Sequence, residues 1–131
     1  MNEISHQTAI LIVDDEPGLA LTLQDILHTF GHEVEIANDG WNAIERVKAR
    51  PFDIVLMDIR MPGINGVEAF AEIKKIRPEI AVMMMTAYSV EELISEALEN
   101  GAYGVLYKPF DVRRVLKFIE DRGEWSHIGR R

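Results

Sequence analysis

The sequence predicts an α/β protein in which five βα units build one doubly wound parallel sheet. Short apolar runs alternate with segments of helical periodicity along the chain, and no repeat or low-complexity segment interrupts them. The length of 131 residues, with 47% hydrophobic and 27% charged residues, suits one globular domain with a substantial core. This alternation favours helices on both faces of the sheet with right-handed crossovers, and five strands are too few for an eight-stranded barrel.

The first βα unit begins with Ala9–Val13, an apolar run typical of a strand buried on both faces. Pro17 suits the first turn of the following helix, and Gly31 suits its C-terminal end. Over residues 17–30 the apolar side chains recur at helical spacing, which predicts one stripe formed by Leu19, Leu23, Ile26, Leu27 and Phe30.

The remaining units repeat the pattern. Val34 and Ile36 alternate with polar residues in a second strand. The periodicity then predicts helices over 41–50, 66–76, 90–99 and 111–121, and strands over 52–57, 80–85 and 103–107. We expect a domain over 1–121 with its core at 8–121, a loose tail over 122–131, and no output domain within the chain.

The common order for such a sheet is 2-1-3-4-5, the flavodoxin-like arrangement, with ligands at the carboxyl ends of strands 1 and 3. Polar residues follow the predicted strands at that edge: Asp14, Asp15, Asp58, Thr86 and Lys108. Because strands 1 and 3 would be neighbours about 4.8 Å apart, we expect the three aspartates to converge. Lys108 begins about 10 Å from Asp58, which its long side chain can largely span.

Clustered carboxylates raise one another's pKa unless a cation cancels their charge, and Mg²⁺ suits carboxylate ligands with open positions for water and a phosphate. Asp58 stands alone after its strand, so we expect it to be a solvent-reachable nucleophile toward phosphorus. Asp14 and Asp15 then suit the metal, while Lys108 and Thr86 would hold phosphoryl oxygens. Taken singly, these residues have ordinary interpretations: Asp14 and Asp15 as caps of the first helix, Asp58 as a loop residue, Thr86 as a strand-end hydroxyl, and Lys108 as a surface lysine.

Composition excludes several function classes. The net charge of 14 − 22 = −8 disfavours direct binding to nucleic acid or to an anionic membrane. The absence of cysteine excludes disulfides, cysteine-based zinc sites and thiol nucleophiles. The apolar run near the N-terminus is too short for a signal sequence or a membrane span, so we expect a cytoplasmic location.

Together these residues resemble the receiver domains of bacterial two-component response regulators. The resemblance covers residues 8–121 and is carried by four motifs in order: 13–17 (VDDEP), 57–66 (MDIRMPGING), 85–88 (MTAY) and 107–110 (YKPF). It implies a phosphorelay switch that catalyses transfer of a phosphoryl group from a donor to Asp58. The domain would then slowly dephosphorylate itself. The resemblance also implies a cis bond between Lys108 and Pro109.

The resemblance further implies that Mg²⁺ is bound by Asp15, Asp58 and the backbone carbonyl of Arg60, with Asp14 assisting. Lys108 would pair with the phosphoryl group, and Thr86 would move to bond it. The implied partners are a histidine kinase or histidine phosphotransfer protein and an unidentified downstream protein. Leu21 and Asp25 on helix 1 are candidate kinase contacts, and the protein would be a monomer or a weak phosphorylation-dependent dimer.

One position departs from the family pattern: Val105 stands where relatives often carry an aromatic ring that swings when the threonine moves. We therefore expect a smaller shift near strand 4 and helix 4. Three alternatives stay open, namely a binding module that signals without phosphorylation, a phosphatase of the haloacid-dehalogenase type, and a flavodoxin-like electron carrier. The intact carboxylates, threonine and lysine disfavour a module that signals without phosphorylation. The adjacent aspartates after strand 1 disfavour a phosphatase of the haloacid-dehalogenase type. The negative charge of the same residues would repel a flavin phosphate, which disfavours the electron carrier.

Overall fold

The computed structural model describes residues 8–88 and 90–127 of the chain. In this part, strands and helices alternate throughout. The strands are β1 (Ala9–Val13), β2 (Glu33–Ala37), β3 (Ile54–Asp58), β4 (Ala81–Thr86) and β5 (Gly104–Tyr107). The helices are α1 (Pro17–Thr29), α2 (Gly40–Ala49), α3 (Gly66–Ile76), α4 (Glu91–Glu99) and α5 (Val112–His127).

The strands form one parallel sheet in the order β2-β1-β3-β4-β5, which confirms the predicted topology. The register between β1 and β3 pairs Val13 with Met57. Asp14 and Asp58 are the next residues of their chains, so they reach the carboxyl edge of the sheet at the same level. The β3–β4 register pairs Asp58 with Met85, which places Thr86 one residue further along the neighbouring strand.

Two apolar cores pack on opposite faces of the sheet because successive strand side chains point to opposite sides. Leu11, Val55 and Met84 belong to the core that includes residues of α2 and α3. Ile12 and Leu56, the strand residues that follow Leu11 and Val55, belong to the second core, which includes residues of α1 and α5. The helices therefore cover both faces, as a doubly wound sheet requires.

The predicted helix bounds lie within one residue of the observed ones except at the end of α5. Helix α1 ends at Thr29, so Phe30 is its C-cap residue and leaves the predicted apolar stripe, with 59% of its surface exposed. Helix α5 continues to His127, beyond the predicted end at Asp121. Of the predicted tail, residues 128–131 lie outside the described residues. Among the described helices, none has the length and apolar character needed to span a bilayer.

Candidate functional site

Three aspartates converge at the carboxyl edge of the sheet. One carboxylate oxygen each from Asp14, Asp15 and Asp58 lies within 4.8 Å of the others. Asp14 is 2% exposed and Asp58 5% exposed, whereas Asp15 is exposed. Asp58 is therefore much more buried than the solvent-reachable carboxyl that the sequence predicts, since it ends an interior strand and a lysine side chain packs on it.

That lysine is Lys108, which directly follows β5. Its Nζ atom donates hydrogen bonds to Asp14 Oδ2 at 2.9 Å, Glu16 Oε1 at 3.0 Å and Asp58 Oδ2 at 3.1 Å. The Lys108 backbone N–H donates to the Thr86 carbonyl oxygen at 2.8 Å, and the bond to Pro109 is cis, as the resemblance implies. One ammonium group, from the residue after β5, thus links two residues that follow β1 with the last residue of β3.

The cluster carries more negative than positive charge. Burial raises the pKa of Asp58 to about 6; the Lys108 ammonium opposes this shift, and the Asp14 carboxylate adds to it. Burial lowers the pKa of Lys108, but hydrogen bonds to Asp14 and Glu16 and the neighbouring charges outweigh it and raise that pKa above its usual value. The site therefore holds an ammonium that stays charged beside a carboxylate that is costly to ionise.

The donor set suits a hard divalent cation. Ligand oxygens around an octahedral Mg²⁺ lie about 3–4 Å from one another, and the aspartate oxygens lie within 4.8 Å. All three donors are carboxylates. Burial, with a smaller contribution from the Asp14 carboxylate, raises the pKa of Asp58, and a cation beside it would favour its ionised form. The cluster can therefore bind a metal ion.

The loop after β3 holds Asp58 in place. The Arg60 N–H donates to Asp58 Oδ1 at 3.3 Å, and the Gly66 N–H donates to the Ile59 carbonyl at 2.7 Å. A Cβ atom at Gly66 would collide with the Asp58 carbonyl oxygen, so only glycine permits this close approach. Asn65 then starts α3 with a capping box that involves Glu68.

Thr86 is fully buried at the end of β4, beside the cluster but bonded elsewhere. Its hydroxyl donates to the Tyr88 carbonyl oxygen at 2.9 Å and accepts from the Tyr88 N–H at 3.0 Å. The threonine hydroxyl thus bonds its own loop rather than the side chain of Asp58 or Lys108. The sequence indicated its position but not this partner.

Glu16 is a site residue that the sequence reasoning did not assign. It is the N-cap of α1, yet its side chain makes no cap hydrogen bond and contacts Lys108 instead. Its N–H donates to Asp14 Oδ1 at 2.9 Å, so Asp14 orders the start of the helix as well as joining the cluster. Its place as the third acidic residue directly after β1, next to Asp14 and Asp15, was the sequence feature that could have identified Glu16 as part of the site.

The other predicted positions lie on β5 and α1. Val105 is half-buried against the core, in register with Met84. Leu21 is 53% exposed and Asp25 is exposed on α1, so both are accessible as candidate partner contacts.

Comparison with known proteins gives a consistent result. The family model described as "Response regulator receiver domain" matches residues 10–120. The transcriptional regulatory protein ZraR of Escherichia coli O157:H7 is 41% identical over 91% of this chain. The chemotaxis protein CheY of Thermotoga maritima is 38% identical over 84% of this chain and 92% of its own length.

Among solved structures, a CheY-like receiver domain protein of Methanospirillum hungatei JF-1 superposes with a TM-score of 0.87 and 30% identity. That superposition covers 91% of this chain and 95% of the other. The match to ZraR, in contrast, spans only 27% of the length of that regulator.

Proposed function

The chain belongs to the response regulator receiver domain family of two-component signalling, and from this premise we propose that Asp58 is its phosphoryl acceptor. The donor would be a phosphohistidine on a histidine kinase or a histidine phosphotransfer protein. The observation that carries the proposal is that Asp14 and Asp15 from the end of β1 and Lys108 from the end of β5 converge on Asp58 at the end of β3.

In the transfer, a carboxylate oxygen of Asp58 attacks phosphorus while the bond from phosphorus to the donor imidazole nitrogen breaks. The electron pair of that bond stays on the imidazole, which takes up a proton, and an acyl phosphate forms on Asp58. Lys108 already contacts Asp58 Oδ2 at 3.1 Å, so its ammonium is close enough to turn toward the new phosphoryl oxygens.

Asp14, Asp15, Asp58 and the backbone carbonyl of Arg60 would hold Mg²⁺. When bound, the ion neutralises negative charge on the transferring phosphoryl group. The protein's own part is to bring the carboxylates together and to keep Lys108 charged beside them. Slow attack of water on the same acyl phosphate would return the domain to its starting state.

The phosphorylated domain would act as a conformational switch. The Thr86 hydroxyl would leave Tyr88 and donate to a phosphoryl oxygen, which shifts the β4–α4 loop and favours a state that a downstream protein recognises. Leu21 and Asp25 on α1 are candidate contacts for the kinase. The domain would act as a monomer or a weak phosphorylation-dependent dimer, without contacting nucleic acid or membrane itself.

The test is incubation with Mg²⁺ and acetyl phosphate, followed by intact mass measurement. We expect one phosphoryl group on the native chain, none on Asp58→Asn, and one on Asp53→Asn, in which an exposed aspartate at the opposite end of β3 from Asp58 is changed. Failure of the native chain to gain mass, or an unchanged gain in Asp58→Asn, would overturn the proposal.

A further inference from the structure

Two loops beside the site are joined by a contact between an arginine and an aromatic ring. The guanidinium carbon of Arg60, in the β3–α3 loop, lies 4.9 Å from the ring centroid of Tyr88, in the β4–α4 loop. Arg60 is exposed and Tyr88 is 57% exposed, so core packing does not hold either side chain. No carboxylate in the described part of the chain forms an ion pair with Arg60, which leaves its charge for the ring.

Each member of this pair is also hydrogen-bonded to the functional residue two positions before it. The Arg60 N–H donates to Asp58 Oδ1, and the Tyr88 N–H and carbonyl both bond the Thr86 hydroxyl. The Arg60–Tyr88 contact therefore closes a continuous path from the proposed phosphoryl acceptor to the proposed switch threonine.

We propose that Tyr88 is a positioning residue that keeps the Thr86 hydroxyl turned away from Asp58, and that Arg60 holds Tyr88 in this arrangement. We call the Arg60–Tyr88 contact the latch. The inference rests on the proposed function, because it assigns a resting-state restraint to the same switch.

The restraint follows from what the Thr86 hydroxyl can do. It has one O–H group, which donates to the Tyr88 carbonyl, and its oxygen accepts a hydrogen bond from the Tyr88 N–H. To donate to a phosphoryl oxygen it must give up that bond, and the Tyr88 backbone must release it. Arg60 opposes this release because it ties the Tyr88 ring to the loop that follows Asp58.

The expected effect is modest because the latch is exposed. An exposed cation–π contact changes a two-state population by about two- to fivefold. Loss of the latch should therefore raise the population with a free Thr86 hydroxyl by that factor. Because a free Thr86 hydroxyl can donate to the oxygens of an incoming phosphoryl group, the rate of phosphorylation from a small donor should rise in parallel.

A double-mutant cycle tests the latch. Arg60→Gln and Tyr88→Leu each remove one side of the contact while the backbone bonds of both residues stay available. Intact mass time courses with Mg²⁺ and acetyl phosphate should show each single variant reacting about two- to fivefold faster, and the double variant no faster than either. Tyr88→Phe keeps the ring that contacts the Arg60 guanidinium, so it should stay near the native rate.

A second readout needs no phosphorylation. The Tyr88 amide is protected by its bond to Thr86, so its hydrogen exchange, followed by NMR, should be about two- to fivefold faster in Arg60→Gln than in the native chain. Unchanged exchange in Arg60→Gln overturns the latch, whether or not Asp58 accepts a phosphoryl group. Faster exchange with unchanged or additive phosphorylation rates overturns its link to the switch, whereas absence of phosphorylation in every variant overturns the proposed function instead.

Discussion

Two charged regions of this molecule use similar side chains with opposite energetic consequences. On the surface of β2 and α2, Arg46 and Arg50 contact Glu33 and Glu35 at 2.8–3.0 Å, with each side chain at least 32% exposed. At the carboxyl edge of the sheet, one ammonium contacts three carboxylates at 2.9–3.1 Å, and the side chains of Asp14 and Asp58 are 0% and 7% exposed.

The surface network is balanced in charge, so it neither stabilises nor strains the fold by much. The site is unbalanced in charge and shielded from water. Burial raises the pKa of Asp58 even though the Lys108 ammonium opposes this shift, so the raised pKa reflects what it costs to bury this carboxylate. A fold can thus tolerate poorly solvated negative charge at a site where a bound cation can relieve it.

The largest expected effect comes from removing the cation of each region. Lys108→Met leaves buried carboxylates without their partner, and we expect the free energy of unfolding at pH 8 without metal to fall by about 3 kcal/mol. Arg50→Met removes an exposed partner, which also lies over the Phe52 ring at 4.6 Å, and should cost about 1 kcal/mol at most. Urea denaturation measures both, and equal losses would erase the contrast between the regions.

The next effect comes from removing an anion from each region. Asp58→Asn should raise the free energy of unfolding by about 1–2 kcal/mol at pH 8 without metal, after allowance for residual solvent screening. Lys108 keeps Asp14 and Glu16 as partners in this variant. Glu35→Gln is the matched control in the balanced network, and it should bring no gain.

The difference in unfolding free energy between the native chain and Asp58→Asn should depend on pH. The folded-state pKa of Asp58, about 6, lies above its ordinary value of 3.8, so the folded state binds this proton more tightly. Asp58 therefore destabilises the native chain fully above pH 6, and this destabilisation fades as the pH falls toward 4. The advantage of Asp58→Asn should shrink from pH 8 to pH 5 in denaturation curves; a constant advantage would contradict the assigned cause.

The smallest effect is stabilisation by metal. Mg²⁺ at roughly five times its dissociation constant should raise the free energy of unfolding by about 1 kcal/mol, seen as a higher melting temperature. Asp15→Asn should weaken this response, since Asp15 contributes an oxygen to the cluster. Glu33→Gln should leave it intact. No response of the native chain at millimolar Mg²⁺ would remove the metal from the proposed function.

Much of the fold was predictable because periodicity survives in the sequence. Ala9–Val13 and residues 66–76 were predicted at their observed bounds, and Leu21 is exposed, as its position off the apolar stripe indicates. The prediction that Phe30 belongs to the apolar stripe of α1 was wrong, because the turn at Gly31, with a φ of 90°, ends the helix before Phe30. Periodicity describes residues inside an element and carries no information about where its hydrogen bonds stop.

The site was predictable at the level of backbone position. Asp14, Asp58 and Lys108 follow strands whose order and parallel direction bring their ends to one edge, so their convergence follows from topology. The contact of Glu16 with Lys108 and that of Thr86 with Tyr88 were not predictable in this way. Each contact depends on the side-chain rotamer, which decides which of several nearby groups becomes the hydrogen-bond partner.

By itself the sequence determined the order of elements, their buried faces and the residues that end each strand, because these are local properties of a chain with regular periodicity. The tertiary structure decided how deeply Asp58 is buried, which carboxylates share Lys108, and that the Arg60 guanidinium lies over the Tyr88 ring. These depend on distances between segments far apart in the chain, and electrostatic energies change steeply with such distances and with the exclusion of water.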